Sequence, residues 1–172
     1  PDNFGNFWSD SDLDIDIPVD WVDIDGMGTL YGFSDNDDAG GQIEIGFDFP
    51  FLGGTYSQCI INANGWVGFG SDSDAWENSN IPSSTAPGPA IFGLWDDLNP
   101  VNDNCNSYCS GNVYYYGDEE KFVVWFDEVA HWWTNFEDSY YNFQFVLYPN
   151  GQIDLNYNTL TGTHAATVGI QD

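Results

Sequence analysis

Apolar and polar residues alternate along several segments of the chain, with the period of two that is typical of half-buried β-strands. The clearest segments are QIEIGFDF (42–49), YNFQFVLYP (141–149) and GQIDLNYN (151–158). The residues expected to face the core are Ile43, Ile45, Phe47 and Phe49 in the first segment, Phe143, Phe145 and Leu147 in the second, and Ile153, Leu155 and Tyr157 in the third. Each segment is therefore predicted to be a strand with one buried face.

A fourth segment, KFVVWFDEV (121–129), is apolar on both faces, because Val123 and Trp125 lie opposite Phe122 and Phe126. A strand with two apolar faces is covered on both sides. This segment is predicted to form a central strand of its sheet.

Turn signals separate the alternating runs. Asn64-Gly65 and Asn150-Gly151 carry the strongest short hairpin signal, and Gly117-Asp118 is predicted to turn the chain into the central strand. No helical periodicity persists over a dozen residues, and the Ser-, Pro- and Asp-rich stretch 71–89 is predicted to be a long loop. The chain is therefore predicted to be all-β, with residues 1–172 forming a single antiparallel β-sandwich domain. We expect a jelly-roll-like sandwich of nine or ten short strands with little or no helix.

Charge narrows the possible partners. The chain has 28 acidic residues and one base, Lys121, which gives a formal net charge of −27. It cannot displace counterions from phosphates, so nucleic acid and anionic membrane surfaces are excluded as partners. No stretch approaches the roughly 20 apolar residues that a membrane span needs, so membrane insertion is not expected. The chain starts at Pro1 without methionine, and we expect a processed or excised chain in which a missing signal peptide does not argue against secretion.

The acids have three interpretations, which are a solvated surface of halophilic type, a set of divalent-cation sites such as calcium sites, or both. Asp35, Asp37 and Asp38 lie in DNDDAGG, where the glycines permit a sharp turn around hard oxygen donors. Asp96 and Asp97 end the apolar run of AIFGLWDDLNP, and on an extended segment their side chains point to opposite sides. The pair either ligates calcium or only organises a turn through its own backbone. Calcium is the predicted cofactor, and these five aspartates are its candidate ligands.

The cysteines indicate the compartment. Cys105 and Cys109 lie close together in the polar stretch CNSYCSGN and are predicted to form a disulfide, which requires an oxidising environment. Metal ligation by this pair is the weaker interpretation, since no second Cys or His pair completes a zinc signature. Cys59, in the predicted strand YSQCIIN, is expected to be a small buried apolar residue.

Aromatic residues in polar loops are the candidates for contact with a ligand or partner. They are Trp76 in DAWENSN, and Trp132, Trp133 and Tyr140 in HWWTNFEDSYY. Exposed indole faces among polar side chains suit the stacking of a sugar ring. Tryptophan and tyrosine are also enriched in protein interfaces, so both interpretations stay open.

Catalysis has little support in the sequence. The only histidines, His131 and His164, lie outside any nucleophile signature, and no G-x-S-x-G occurs. His131 is expected to be a surface residue at a strand end. We predict that the chain is not an enzyme.

The order of motifs along nearly the whole chain is distinctive. PDNFGNFWSDSD, VDWVDI, IGFDFPFLGGTYSQCIINANGWVGFG, IPSSTAPGPAIFGLWDDLNP, FVVWFDEVAHW, FQFVLYPNGQIDLNY and ATVGIQD follow one another. In this order the chain resembles a β-sandwich module of large secreted and surface proteins of bacteria, which accompanies subtilisin-like proteases, adhesion repeats and type IX sorting domains. The resemblance implies an extracellular, non-catalytic module. The loss of nearly all Lys and Arg, the CNSYC insertion and the short ending are departures from it.

These observations predict an extracellular, cell-surface structural or adhesive module, stabilised by calcium and part of a self-assembling structure such as a filament or surface layer. Its expected partners are copies of itself or neighbouring surface proteins. The final segment ATVGIQD reads as a strand, so either the N-terminal segment fills the position beside it or an edge is left open. The alternative function is a carbohydrate-binding accessory module of a secreted hydrolase or protease.

Overall fold

The computed structural model of the chain describes residues 5–14, 16–33, 38, 40–70, 74–103, 105, 109–133, 139–162 and 165–172. Within these ranges the chain forms ten strands and no helix. The strands are β1 (Thr29–Tyr31), β2 (Gly40–Phe51), β3 (Gly54–Asn62), β4 (Trp66–Gly68), β5 (Ala90–Trp95), β6 (Asn112–Gly117), β7 (Phe122–Val129), β8 (Tyr140–Leu147), β9 (Ile153–Thr161) and β10 (Thr167–Gln171). The all-β prediction is confirmed. The described residues contain no helix long and apolar enough to cross a membrane.

The strands form two antiparallel sheets of five. The first sheet has the order β1-β6-β7-β8-β9 and the second has the order β10-β5-β4-β3-β2. The predicted sandwich is therefore confirmed, and its connectivity is that of two meanders, each extended at one edge by a strand from elsewhere in the chain. Consecutive strands of each meander lie side by side, so the likeness to a jelly roll is limited to the two-layer arrangement.

The main core lies between the sheets, and every residue predicted to face inward from the three alternating segments belongs to it or packs against it. The segment 121–129 is confirmed as a central strand, since β7 is the third of five. One contact that joins the two sheets is the hydrogen bond from the Tyr157 hydroxyl to the Gly93 carbonyl oxygen, at 2.6 Å. Burial raises the pKa of Tyr157, which keeps this hydroxyl protonated and able to donate.

The predicted turns are present. Gly65 and Gly151 have φ angles of 75° and 87°, in the left-handed region that glycine adopts without strain. Gly65 has a second requirement, because a Cβ atom built on it would lie 2.1 Å from the Leu94 carbonyl oxygen. Only glycine can therefore occupy the β3–β4 hairpin at this point.

The outer face of the first sheet is covered by residues 20–28, which we call the N-terminal cover. Ile24 packs against the outward-facing Val123 and Val146 in a second apolar cluster. Gln144 is fully buried on this face, and its amide group both accepts a hydrogen bond from the Val22 N–H (2.8 Å) and donates one to the Val22 carbonyl (3.1 Å). A polar residue on a buried face thus acquires the partners that burial requires.

The outer face of the second sheet is covered by residues 74–88, which we call the loop cover. The backbone carbonyl of Ala75 accepts hydrogen bonds from the indole N–H groups of Trp66 (3.3 Å) and Trp95 (2.9 Å). At the other end of the loop cover, the Gln171 side chain accepts from the Ser83 N–H at 2.6 Å and donates to the Ser83 carbonyl at 2.9 Å. The part of the predicted long loop that the structure describes, residues 74–88, therefore lies against the second sheet.

The last strand, β10, pairs with β5 at an edge of the second sheet. The side-chain hydroxyl of Thr167 donates a hydrogen bond to the Ser79 carbonyl, so the loop cover also lies beside this strand. The N-terminal cover lies over the first sheet instead. One of the two expectations for this edge was an N-terminal strand beside β10, and the described residues do not form such a strand.

Candidate functional site

The chain crosses between the sheets three times at one end of the sandwich, which we call the loop end. It consists of residues 32–40, 62–66, 96–111, 130–139 and 162–166, as far as these are described. An isolated antiparallel bridge between Leu98 and His131 joins two of these connections. Most of the candidate residues found in the sequence lie here, because the strands that carry them all end at this side.

Asp96 is the most buried acid at the loop end, with 8% of its surface exposed. Its Oδ1 atom accepts a hydrogen bond from the Asp97 N–H at 3.0 Å, so Asp96 does organise the turn that follows β5. The Asp97 carbonyl accepts the Trp132 N–H at 2.8 Å, while the Asp97 side chain is only half-buried. The two neighbouring carboxylates therefore occupy different environments.

His131 faces Asp96. Its Nε2 atom lies 3.5 Å from Asp96 Oδ1, and its Nδ1 atom lies 2.7 Å from the Trp132 carbonyl oxygen. Both ring nitrogens thus face acceptors, which favours the imidazolium form with two N–H donors. Burial lowers the pKa of His131, but the hydrogen bonds to Asp96 and the Trp132 carbonyl and the charges of Asp96 and Asp97 outweigh it, so the pKa is raised.

The position of His131 differs from its predicted one. It does lie just beyond the end of β7, but only 16% of its side chain is exposed, so it is not a surface residue. The partner of His131 could not be predicted, because Asp96 lies 35 positions earlier and is brought to it by the bridge at Leu98. Because both ring nitrogens of His131 face acceptors, the protonated imidazole can form an ion pair with the Asp96 carboxylate.

Three buried polar atoms at the loop end have no hydrogen-bond partner. They are Asp96 Oδ2 and both amide atoms, Oδ1 and Nδ2, of Asn99. Asn99 is fully buried, and its backbone is held by hydrogen bonds from its N–H to Ala130 (2.8 Å) and to its carbonyl from Ser110 (3.0 Å). Leaving such atoms unpaired costs about 1–3 kcal/mol each, so they are expected to bind water, an ion or a ligand.

Asn64 connects the two predicted calcium clusters. Its amide nitrogen donates to Asp38 Oδ1 at 3.0 Å, and its amide oxygen accepts the Leu98 N–H at 3.0 Å. Its carbonyl oxygen also accepts the Asp96 N–H at 3.4 Å. Asp38 and Asp96 therefore lie on opposite sides of one buried asparagine, which sequence spacing alone could not indicate.

Two other predicted calcium ligands, Asp35 and Asp37, lie outside the described residues. Among the residues that are described, no three His, Cys, Asp or Glu side chains come together as a metal-binding group. Among the described residues, the Asn99 side chain and backbone carbonyls are further oxygen donors that lie in the same connection as the Asp96 carboxylate.

The cysteines are placed as expected. Cys105 and Cys109 are joined as a disulfide with their Cα atoms 5.7 Å apart, in the connection from β5 to β6. Cys59 is buried in β3, and burial raises the pKa of its thiol, which keeps it protonated and unreactive.

The candidate aromatic residues lie in three settings. Trp133 is 67% exposed and meets the half-buried Trp132 edge to face, with ring centroids 5.2 Å apart. Trp76 is 47% exposed but belongs to the loop cover on the second sheet. Tyr140 is half-buried at the start of β8, where it pairs with Thr161. The loop end therefore presents Trp132 and Trp133, with Trp76 on a separate face.

A second group of residues was missed by the sequence analysis. Ile24, Asp25, Gly26, Gly28, Tyr114, Trp125 and Asp127 line a groove of about 290 Å³ between the N-terminal cover and the first sheet. The available signal was the outward-facing set Tyr114, Trp125 and Asp127, which alternation places opposite the core. Nothing in the sequence indicated that the N-terminal cover would close over one side of it.

The fold and the loop end together define a class, namely a two-sheet β-sandwich whose connections between the sheets gather at one end. A family model described as NIDO related matches residues 18–172. The chain therefore belongs to the NIDO-related family, which is generally one of non-catalytic extracellular modules. No curated protein and no solved structure matches the chain at a significant level.

Proposed function

We propose that this domain is a structural and adhesive module of an extracellular surface assembly, which contacts neighbouring subunits or surface proteins through its loop end and is stabilised there by calcium. The observation that carries the proposal is the convergence at one end of the sandwich of an exposed indole, Trp133, with the unpaired polar atoms of Asp96 and Asn99. The connection that carries Asp96 and Asn99 also holds the disulfide, and both the disulfide and the family fit an extracellular setting.

Trp133 supports the adhesive part. Tryptophan is enriched among the residues that dominate binding at interfaces, and its large ring loses little conformational entropy when it is buried. Covering the two-thirds of the side chain that is exposed would contribute on the order of 3 kcal/mol of apolar burial. Its ring also contacts the Trp132 ring edge to face, so the two indoles lie together at the loop end.

The charge of the chain supports the calcium part. At −27 per subunit, close packing of copies is opposed by repulsion unless cations lie between them. Asp96 Oδ2 and Asn99 Oδ1 are oxygen atoms of the kind that calcium prefers, and both lack partners. The rest of a shell of six to eight oxygens would come from backbone carbonyls, water or the acids of a neighbouring subunit.

The test is thermal unfolding combined with light scattering, first in calcium and then in EDTA. We expect chelation to lower the melting temperature and the particle size together. Asp96→Asn should remove most of the calcium effect on melting, and Trp133→Ala should reduce particle size while leaving that effect in place. Glu119→Gln, which removes one exposed acid from the β6–β7 turn at the opposite end, is the matched control and should behave like the wild type. Identical curves in calcium and EDTA would reject the calcium part, and a monomer under both conditions would reject assembly.

The same Trp132–Trp133 pair favours a second candidate, a carbohydrate-binding accessory module, because an exposed indole face beside polar side chains suits a sugar ring. A single experiment distinguishes the two candidate functions. A sugar module should stay monomeric with calcium, bind immobilised glycans, and lose that binding in Trp133→Ala. An assembly module should be indifferent to glycans.

A further inference from the structure

The groove between the N-terminal cover and the first sheet lies outside the loop end and has no role in the function proposed above. Its lining combines two aromatic rings, Tyr114 and Trp125, with two carboxylates, Asp25 and Asp127. The rings lie 5.5 Å apart at an interplanar angle of 34°, so they are neighbours on one wall. At about 290 Å³ the groove is at the lower limit of small-molecule sites, a size that suits a single head group.

The side chains of this groove are held in place by a chain of hydrogen bonds. The Trp125 indole N–H donates to Asn142 Oδ1 at 2.9 Å, and the Asn142 amide donates to Asp127 Oδ1 at 3.0 Å. On the other side, the turn of the N-terminal cover is closed by hydrogen bonds from Met27 and Gly28 to the Ile24 carbonyl, at 3.0 and 2.8 Å. The groove is therefore built before any ligand binds.

The charges around the groove are all negative. Asp127 is partly buried, and the charged groups that act on it are Glu128 and Asp25, both of them acids. Burial and these two charges raise its pKa, while the hydrogen bond from Asn142 lowers it. The only lysine, Lys121, lies six residues before Asp127, just ahead of the start of β7 and about 20 Å away along the extended chain. A positive charge in the groove would relieve repulsion that nothing else nearby offsets.

The lining indicates which kind of cation fits. A calcium ion needs six to eight oxygen ligands, whereas the lining here includes two aromatic side chains, and the described residues hold no group of three metal-binding side chains. Aromatic faces attract organic cations through their quadrupole, and tryptophan does so best. We infer that the groove formed by Asp25, Tyr114, Trp125 and Asp127 binds an organic ammonium group, either a free methylated amine or the end of a lysine side chain from another protein.

The test is a titration followed by intrinsic tryptophan fluorescence and by calorimetry. The probes are choline for the free amine, Nα-acetyl-lysine methylamide for the side chain, and 3,3-dimethylbutan-1-ol, which has the shape of choline without its charge. We expect saturable binding of at least one cationic probe, with Kd on the order of 1 mM. The neutral alcohol should bind at least tenfold more weakly. Saturation by choline alone would identify a free amine as the ligand, and saturation by the lysine derivative would identify a side chain.

The variants separate charge from shape. Asp127→Asn keeps the size of the side chain and should weaken binding of the cationic probe at least tenfold. Tyr114→Leu should weaken its binding severalfold. Asp25→Asn provides a second charge variant at an exposed position, in case Asp127→Asn unfolds. Glu119→Gln, which removes an equal charge from the far end of the sandwich, should leave binding unchanged. Equal binding of the neutral alcohol, displacement of the probe by millimolar calcium, or no saturation by either cation would each overturn the inference. The loop-end proposal would survive any of these results.

Discussion

Replacement of His131 by glutamine should remove a pH-dependent part of the stability of this domain. His131 is the base that faces the buried carboxylate of Asp96, at 3.5 Å. Glutamine keeps an N–H donor of similar reach but cannot carry the positive charge. Both proteins in the comparison should carry His164→Gln. The chain has only two histidines, so His131 is then the only histidine that titrates.

The size of the effect follows from the geometry. Two unit charges 3.5 Å apart attract by about 5 kcal/mol at an effective dielectric constant of 20. Burying the imidazolium opposes this attraction, and burial is the largest influence on the pKa of His131. A net contribution of about 1–3 kcal/mol remains, typical of a hydrogen bond between charged groups. For a domain of this size each kcal/mol corresponds to about 3 °C in melting temperature.

The sign follows from the raised pKa of His131. A base whose pKa is higher in the folded state binds its proton more tightly there, so protonation favours folding. The stabilisation is complete below the unfolded pKa of about 6.5 and is lost as the pH rises through the folded value. The His164→Gln protein should therefore unfold at a higher urea concentration at pH 5.5 than at pH 8.5. The unfolding midpoint of the double variant, which also carries His131→Gln, should change little over that range.

The assay is urea unfolding at several pH values in 0.1 M salt, with the difference between the two proteins taken at each pH. This subtraction removes the contribution of repulsion among the many acids, which both proteins share. A difference that is constant with pH, or that grows as the pH rises, would refute the pairing of His131 with Asp96.

Two further predictions concern the hairpin and the loop cover. Gly65→Ala should destabilise by about 2 kcal/mol or more, because its φ of 75° is left-handed and its Cβ would lie 2.1 Å from the Leu94 carbonyl; Gly32→Ala, where a Cβ would meet nothing within 4 Å, should change the melting temperature by less than 1–2 °C. Trp95→Phe should cost about 1–2 kcal/mol and speed proteolytic cleavage within residues 74–88, because it removes the 2.9 Å hydrogen bond to Ala75. The matched change Trp66→Phe removes only the longer bond of 3.3 Å and should have the smaller effect, so equal cleavage rates would contradict this role of Trp95.

The local pattern of the sequence was enough to identify several of the strands, although not the short β1. Alternation identified the inward faces of β2, β8 and β9, and two apolar faces identified β7 as central, because side chains of a strand point alternately to its two sides. Asn-Gly pairs located two hairpins, since these residues adopt the left-handed backbone that tight turns require. The burial of Cys59 and the pairing of Cys105 with Cys109 followed from equally local signals.

The candidate sites depended on contacts between distant parts of the chain. Asp96 could be recognised as unusual, but its pairing with His131 depends on a bridge between two connections at the loop end. Gln144 and Asn156 read as solvent-facing strand residues, yet the N-terminal cover buries both and supplies their hydrogen-bond partners. The groove at Asp127 exists only because that same cover lies over Tyr114 and Trp125. Most strands could thus be recognised from local patterns, because the preference for a strand is set by neighbours a few positions apart. Which polar groups meet depends on the complete fold, because segments without a repeating pattern lie wherever buried polar atoms and apolar surface find partners.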